Sequence, residues 1–316
     1  MSATKRSRGK KTPGVLDVNR LLVRARYYRH GYRSARANLP EGSLFYRRGG
    51  EGHPLVLLHG FGFGALECWQ NQARALAQCF DVIAPDLFYF GDSVADRTHD
   101  GSPRAQARAM LRMLEQLGIE RAHVLGISYG GFIASEMAMA DPERVARLVL
   151  VDAAGLEPRA EDEDIVRAAF PWAETLADVV IPPDVDRLQQ FLGTVFVRAP
   201  FIPRFVLKEI LEREFWRHSE KRREMIALAE QQLRRPADYA RLAHKTLVAW
   251  GRHDPLLPPS FAERLVAALP DAELAMFERS GHVPMLEEPH AFNTLVTTFL
   301  APRAVRRARR RLLRRG

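Results

Sequence analysis

A serine framed by glycines is the residue in this chain best equipped for chemistry. Ser128 sits in Gly126-Ile127-Ser128-Tyr129-Gly130-Gly131, after a short apolar run and before a helical pattern. A serine on a sharp strand-to-helix turn is held in a strained backbone conformation, and its flanking positions must be small because side chains there would collide. The turn aims the hydroxyl out of the sheet at the start of the next helix, where developing negative charge is favoured. A serine hydroxyl is a poor nucleophile at neutral pH and needs a base. His282, in Ser280-Gly281-His282-Val283-Pro284, follows the last expected strand. From that loop a neutral imidazole can take the serine proton and return it to a leaving group.

The imidazole needs an orienting carboxylate. Asp254, in Trp250-Gly251-Arg252-His253-Asp254-Pro255, lies just past an expected strand, and Asp152 ends another. The 28 positions from Asp254 to His282 leave room for one βα unit, which favours Asp254; Asp152 is expected to cap a loop. Two backbone amides should receive the oxyanion: Tyr129, next to the serine, and Phe61 in His59-Gly60-Phe61-Gly62-Phe63-Gly64, where glycines allow close approach to a carbonyl. A phosphate-binding turn is the competing reading of that loop, but Ala65 stands where a third glycine is needed and no GK[ST] ending follows.

The elements that must position these residues alternate. Short apolar runs at Pro54–His59, Phe80–Pro85, Ala122–Gly126, Val145–Asp152, Thr246–Gly251 and Ala272–Phe277 read as strands. Helical patterns fall at about 67–78, 103–117, 130–140, 259–269 and 288–300. Continuous apolar strands separated by helices predict an α/β fold with a mostly parallel sheet covered on both faces. The rhythm breaks between 156 and 236, where proline-interrupted helices predict an inserted helical cap, leaving 37–155 and 237–302 as the core. Within the insertion, 191–206 (FLGTVFVRAPFIPRFV) is strongly apolar and is expected to line an acyl pocket, pack the cap, or dip into lipid. Residues 1–36 form a basic extension with a helix from Val15 to about Arg36, placing Val18, Leu22 and Ala25 on one face.

The chain has 316 residues and is 47% hydrophobic and 27% charged, enough for a large core. No run of 18 apolar residues occurs, so no transmembrane helix is expected. Cys68 and Cys79 are too few for a disulfide framework and lack the company of a metal cluster. No metal or cofactor is expected. The basic N-terminus lacks the apolar stretch of a secretory signal, although its Arg-rich, acid-poor character also suits a transit peptide. A cytoplasmic location, peripheral to a membrane if the basic ends bind one, is expected. The net charge of +9 hides an asymmetry: residues 1–36 carry +10, the Arg-rich tail 303–316 carries +8, and the body between them carries −9. Basic ends on an acidic body suit an anionic membrane surface better than nucleic acid, because no nucleic-acid-binding fold is legible and no aromatics interleave the tail.

Five segments, LVLLHGFGFG (55–64), DVIAPDLFYFGDS (81–93), HVLGISYGGF (123–132), LVAWGRHDPLLP (247–258) and ERSGHVPMLEEP (278–289), resemble the α/β-hydrolase superfamily in its own order over about residues 45–300. The resemblance implies the order Ser128, Asp254, His282 for a triad, a buttressing role for His59 behind the oxyanion loop, and a structural turn at Asp86 and Gly91. Within the superfamily the phrasing is similar to the monoacylglycerol-lipase-like esterases. Phe88-Tyr89-Phe90 before Gly91 and Ile127 before Ser128 depart from that pattern. A serine rather than an aspartate at 128 argues against dehalogenases and epoxide hydrolases. The expected activity is hydrolysis of a carboxylic ester with a hydrophobic acyl group. A meta-cleavage-type C–C bond hydrolase of dienoic ketoacids, needing a cationic pocket for the carboxylate, is the first alternative, and a non-catalytic ligand receptor on the same fold is the second.

Overall fold

In the computed structural model, which describes residues 14–301, the strands are β1 (Arg33–Leu39), β2 (Gly42–Gly49), β3 (His53–Leu58), β4 (Phe80–Pro85), β5 (Val94–Ala95), β6 (Ala122–Ile127), β7 (Val145–Val151), β8 (Thr246–Gly251) and β9 (Ala272–Phe277). They form one sheet in the order β1-β2-β4-β3-β6-β7-β8-β9, with β5 paired to β2. From β4 to β9 neighbouring strands run parallel, while β2 lies antiparallel to β1, β4 and β5.

The central parallel strands read as near-continuous apolar runs because both of their faces are buried, whereas the edge strand β9 is largely exposed or half-buried. Along β3, Leu55 and Leu57 enter one core while Val56 and Leu58 enter the other. Along β7, Val149 and Val151 join the first group and Leu148 and Leu150 the second. Every residue of β6 and β8 is buried. All the parallel strands therefore present their C-terminal ends along one edge, where Ser128, Asp152, Asp254 and His282 follow β6, β7, β8 and β9.

Between β7 and β8 the chain forms helices Ala160–Ala169, Leu176–Val180, Val185–Val195, Arg204–Ile210 and Ser219–Gln231, the fourth continuing as a π-helical turn Leu211–Phe215. They close around a third core that includes Phe170, Leu188, Leu211 and Phe215.

Several details differ from the sequence expectation. The N-terminal helix is Val15–Arg29, and 33–36 belong to β1. Gly31, at φ 83, ends the helix, with Tyr32 N–H bonded back to Tyr27 O at 3.0 Å. β1 was illegible because it is an edge strand in which Ala37 alone is fully buried. The helix also turns a different face inward. Leu16, Val23 and Tyr27 are buried, whereas Val18 and Leu22 are 50% and 57% exposed. Arg20 falls on the inward stripe and binds Glu67 at 2.7 Å and Glu214 at 2.6 Å, which hides the stripe from a hydrophobicity pattern. The extension is thus tied to both the core and the inserted helices. The helix expected over 67–78 is two short ones, Ala65–Cys68 and Ala73–Ala77, and between them the buried Gln72 side chain donates to Met285 O at 2.7 Å. Of the basic ends on which the membrane expectation rests, 1–36 and 303–316, residues 1–13 and the whole C-terminal tail lie outside the described residues. No described helix is long and apolar enough to cross a membrane.

Candidate active site

The turn after β6 is built by glycines that no other residue could replace without movement. Ser128 has φ 53 and ψ −121, a left-handed-side conformation that is costly for a residue with a Cβ. A Cβ on Gly126 would lie 2.1 Å from Gly130 O, and one on Gly130 would lie 2.4 Å from Leu58 O. Gly131, which the spacing argument had not required, is equally constrained: its Cβ would meet the Ala153 Cβ at 2.5 Å. Packing of the helix Tyr129–Ala140 onto the ends of β3 and β7 therefore fixes the serine. Ser128 N–H bonds Val151 O at 3.0 Å, and Ala154 N–H returns to Ser128 O at 3.0 Å. Ser128 is half-buried and borders a cavity.

His282 and Asp254 meet directly. His282 Nδ1 lies 2.7 Å from Asp254 Oδ2, with both residues buried. Asp254 Oδ1 accepts from Leu256 N–H at 2.9 Å and Leu257 N–H at 3.0 Å, so the carboxylate is held on both oxygens. The His282 backbone N–H binds Val195 O at 2.8 Å, which couples the loop to the inserted helices. Asp152 is buried beside this pair at φ 37 and accepts from Gly251 N–H at 2.9 Å. This bond ties the end of β7 to β8, a wider role than capping its own loop. One ligand-capable atom from each of Asp152, Asp254 and His282 falls within 4.8 Å of the others. The three could gather around a cation, but Nδ1 and Oδ2 are already engaged with each other, an arrangement suited to proton handling.

The loop after β3 is positioned by His59, which is fully buried. Its Nε2 accepts from Leu87 N–H at 2.9 Å, so Nδ1 carries the proton and donates to Gly60 O at 2.8 Å. Burial holds this imidazole below its ordinary pKa, consistent with the neutral tautomer. Because the peptide is trans and planar, turning the Gly60 carbonyl toward His59 sends the Phe61 N–H the opposite way. Tyr129 opens its helix, so its N–H has no helical carbonyl to serve. The rings of Phe61 and Tyr129 meet edge to face at 5.5 Å, and the Tyr129 hydroxyl donates to Gly101 O. Asp86 accepts from Ala65 N–H at 2.8 Å and Asp92 N–H at 3.0 Å, binding the two neighbouring loops as a structural turn.

The cavity beside Ser128 measures about 520 Å³. Its walls include Phe132, Val166, Phe170, Val179, Ile226 and Leu256. None of its wall residues comes from 191–206. That segment divides instead between buried packing, at Phe191, Leu192 and Val195, and open surface, with Phe201 92% exposed. The charged residues around the cavity are Asp162, Glu163, Glu174, Glu230 and Arg167. Arg167 pairs with Asp164 at 2.6 Å and Asp162 with Arg264 at 2.6 Å. The surroundings are therefore apolar within and acidic in net charge.

Comparison with known proteins agrees with this fold. A family model described as the alpha/beta hydrolase fold matches residues 53–289. The chain is 32% identical over 263 residues to a 2-hydroxy-6-oxo-6-phenylhexa-2,4-dienoate hydrolase of Burkholderia cepacia, covering 80% of this chain and 89% of the relative. Among solved structures, it resembles a bacterial membrane phospholipase A with TM-score 0.79 and 26% identity, covering 90% of each chain. It also resembles a meta-cleavage product hydrolase of Pseudomonas fluorescens with TM-score 0.72 and 25% identity, over 84% of this chain and 96% of the other.

Proposed function

This chain belongs to the α/β-hydrolase fold family, and we propose that it is a serine hydrolase of neutral, apolar acyl substrates, cleaving a carboxylic ester through an acyl-enzyme on Ser128. The observation that carries the substrate class is the cavity bordering Ser128. Its walls are apolar, its single Lys/Arg among the described lining residues is Arg167, and carboxylates outnumber that cation. A hydrophobic acyl chain gains from such walls about 25 cal/mol per Å² of apolar surface removed from water. An anionic substrate meets unfavourable charge there.

In this reading His282, oriented by Asp254, takes the Ser128 proton as Oγ attacks the acyl carbon. The N–H groups of Phe61 and Tyr129 receive the oxyanion. His282 then protonates the departing alcohol, and water repeats the sequence to release the acid. His59 acts behind this step by setting the Gly60–Phe61 peptide. Replacing His59 with phenylalanine, which has neither bond, is expected to lower kcat on a nitrophenyl ester roughly 10- to 100-fold with KM little changed, less than the ~10²–10³ of losing an oxyanion donor outright. Steady-state kinetics beside a circular dichroism spectrum check it.

The second reading is cleavage of a C–C bond in a dienoic ketoacid. The curated relatives support it more directly than they support an ester, since the Burkholderia protein is named for a dienoate. The cavity supports the ester, because a dienoate brings a carboxylate that finds Glu163, Glu174 and Glu230 in excess over Arg167. Side-by-side turnover decides between them. Nitrophenyl esters of increasing acyl length and 2-hydroxy-6-oxo-6-phenylhexa-2,4-dienoate are given to the same preparation. The ester reading predicts kcat/KM at least about 100-fold higher on the best ester, a gap of ~2.7 kcal/mol in transition-state stabilisation. Preference for the dienoate establishes the second reading. Tight ligand binding with no turnover on either class, unchanged by His282→Ala, would point to a receptor.

A further inference from the structure

A second buried carboxylate stands against the His282–Asp254 pair, and the proposed mechanism gives it no task. Asp152 is 0% exposed. Its Oδ1 accepts from Gly251 N–H at 2.9 Å, while Oδ2 is buried and has no hydrogen-bond partner among the described residues. Atoms of Asp152, Asp254 and His282 lie within 4.8 Å of one another. Asp254 is supplied with donors, from Leu256 N–H, Leu257 N–H and His282 Nδ1. Asp152 has one, so of two adjacent carboxyls it is the one better served by keeping a proton.

We propose that Asp152 is a positioning residue: its carboxyl is protonated and donates its O–H to the Asp254 carboxylate, so that the pair presents one negative charge and one fixed plane to His282. Two carboxyls this close in a buried site share a proton rather than ionise together. The groups facing Asp152 are Asp254 from the end of β8, His282 from the loop after β9, and Glu287 from the following short helix. Burial first, and then the Asp254 charge, push the Asp152 carboxyl well above the ordinary carboxylate range, with Glu287 adding in the same direction. The Gly251 amide opposes them. The donated bond restrains Asp254 from rotating away from Nδ1, and it prevents a second negative charge from holding His282 as an imidazolium too stable to surrender its proton.

The catalytic part of this inference rests on the serine-hydrolase reading; the protonation part does not. Asp152→Asn keeps the shape, a donor toward Asp254 and an acceptor for Gly251 N–H. Asp152→Ala removes the donor. On a nitrophenyl ester, Asp152→Asn is expected to stay within about threefold of wild-type kcat with the acid limb of kcat/KM unmoved, whereas Asp152→Ala should lose roughly 20-fold in kcat with KM nearly constant and an acid limb displaced upward by about half a pH unit. If Asp152 were ionised, Asp152→Asn would remove a charge near the base and move the acid limb to lower pH, which would overturn the proposal. Wild-type kinetics in Asp152→Ala would overturn it as well.

Infrared difference spectroscopy of the intact protein provides a reading that needs no turnover. At neutral pH the wild type should show a protonated-carboxyl stretch that Asp152→Asn lacks. An ionised signature at Asp152 overturns the proposal. A protonated signature in a protein that hydrolyses no ester and takes no serine probe leaves the shared proton in place and removes the catalytic role together with the serine-hydrolase reading.

Discussion

Ser128→Ala is expected to lower kcat on the best nitrophenyl ester by roughly 10⁵–10⁶, and His282→Ala by a similar factor. The double variant should be hardly worse than either single one, because the two groups act as one unit: without Oγ there is nothing for the base to activate, and without the base the hydroxyl remains a poor nucleophile. The fold should tolerate Ser128→Ala. The turn is held by Ser128 backbone bonds to Val151 and Ala154 and by the close approach of Gly126, Gly130 and Gly131 to their neighbours, none of which involves Oγ. Unchanged denaturant midpoints beside the lost activity would separate chemistry from folding. A residual rate above the uncatalysed reaction is also expected, since the Phe61 and Tyr129 amides and the cavity remain.

Asp254→Asn should cost about 10⁴ in kcat. The carboxamide can keep its acceptor oxygen on the Leu256 and Leu257 N–H groups, now bonded at 2.9 and 3.0 Å, so the loop need not move. Its amide nitrogen would then face His282 Nδ1, where the carboxylate oxygen now sits at 2.7 Å. Donor against donor is unfavourable, so the imidazole is driven to the tautomer that carries its proton on Nε2 and cannot accept from Ser128. The loss should appear in kcat with little change in KM, and it should not be rescued by short-chain esters that need less of the cavity. This variant also separates the two acids. A loss below about tenfold would mean that Asp152 orients the imidazole in place of Asp254.

The parallel sheet was legible because two-sided burial writes itself into sequence as runs such as Leu55–Leu58 and Leu148–Val151. The turn residues at Ser128 were legible because steric exclusion forces glycine at set distances from the serine. The order of the loops then brought Asp254 and His282 together. What stayed hidden depends on contacts distant in sequence. β1 carries Arg33, Ser34 and Arg36 on an exposed edge and so lacks a two-residue period. The inward face of the N-terminal helix includes Arg20, which is acceptable there only because Glu67 and Glu214 wait for it. The cavity wall comes from Val166, Phe170, Val179 and Ile226 rather than the more conspicuous apolar stretch at 191–206. Hydrophobicity marks both segments alike, and tertiary packing decides which one meets the serine. Asp152 was visible as a strand-terminal acid, but its φ of 37 and its position against Asp254 are products of the assembled sheet edge.

Labelling by a fluorophosphonate followed by peptide mapping tests the account most directly, because it reports an activated serine without presupposing the substrate. The account predicts one adduct, on the peptide containing Ser128, formed rapidly in the wild type, lost in Ser128→Ala, and slowed by orders of magnitude in His282→Ala. Labelling that persists undiminished in Ser128→Ala, or an adduct that maps to another residue, would contradict it.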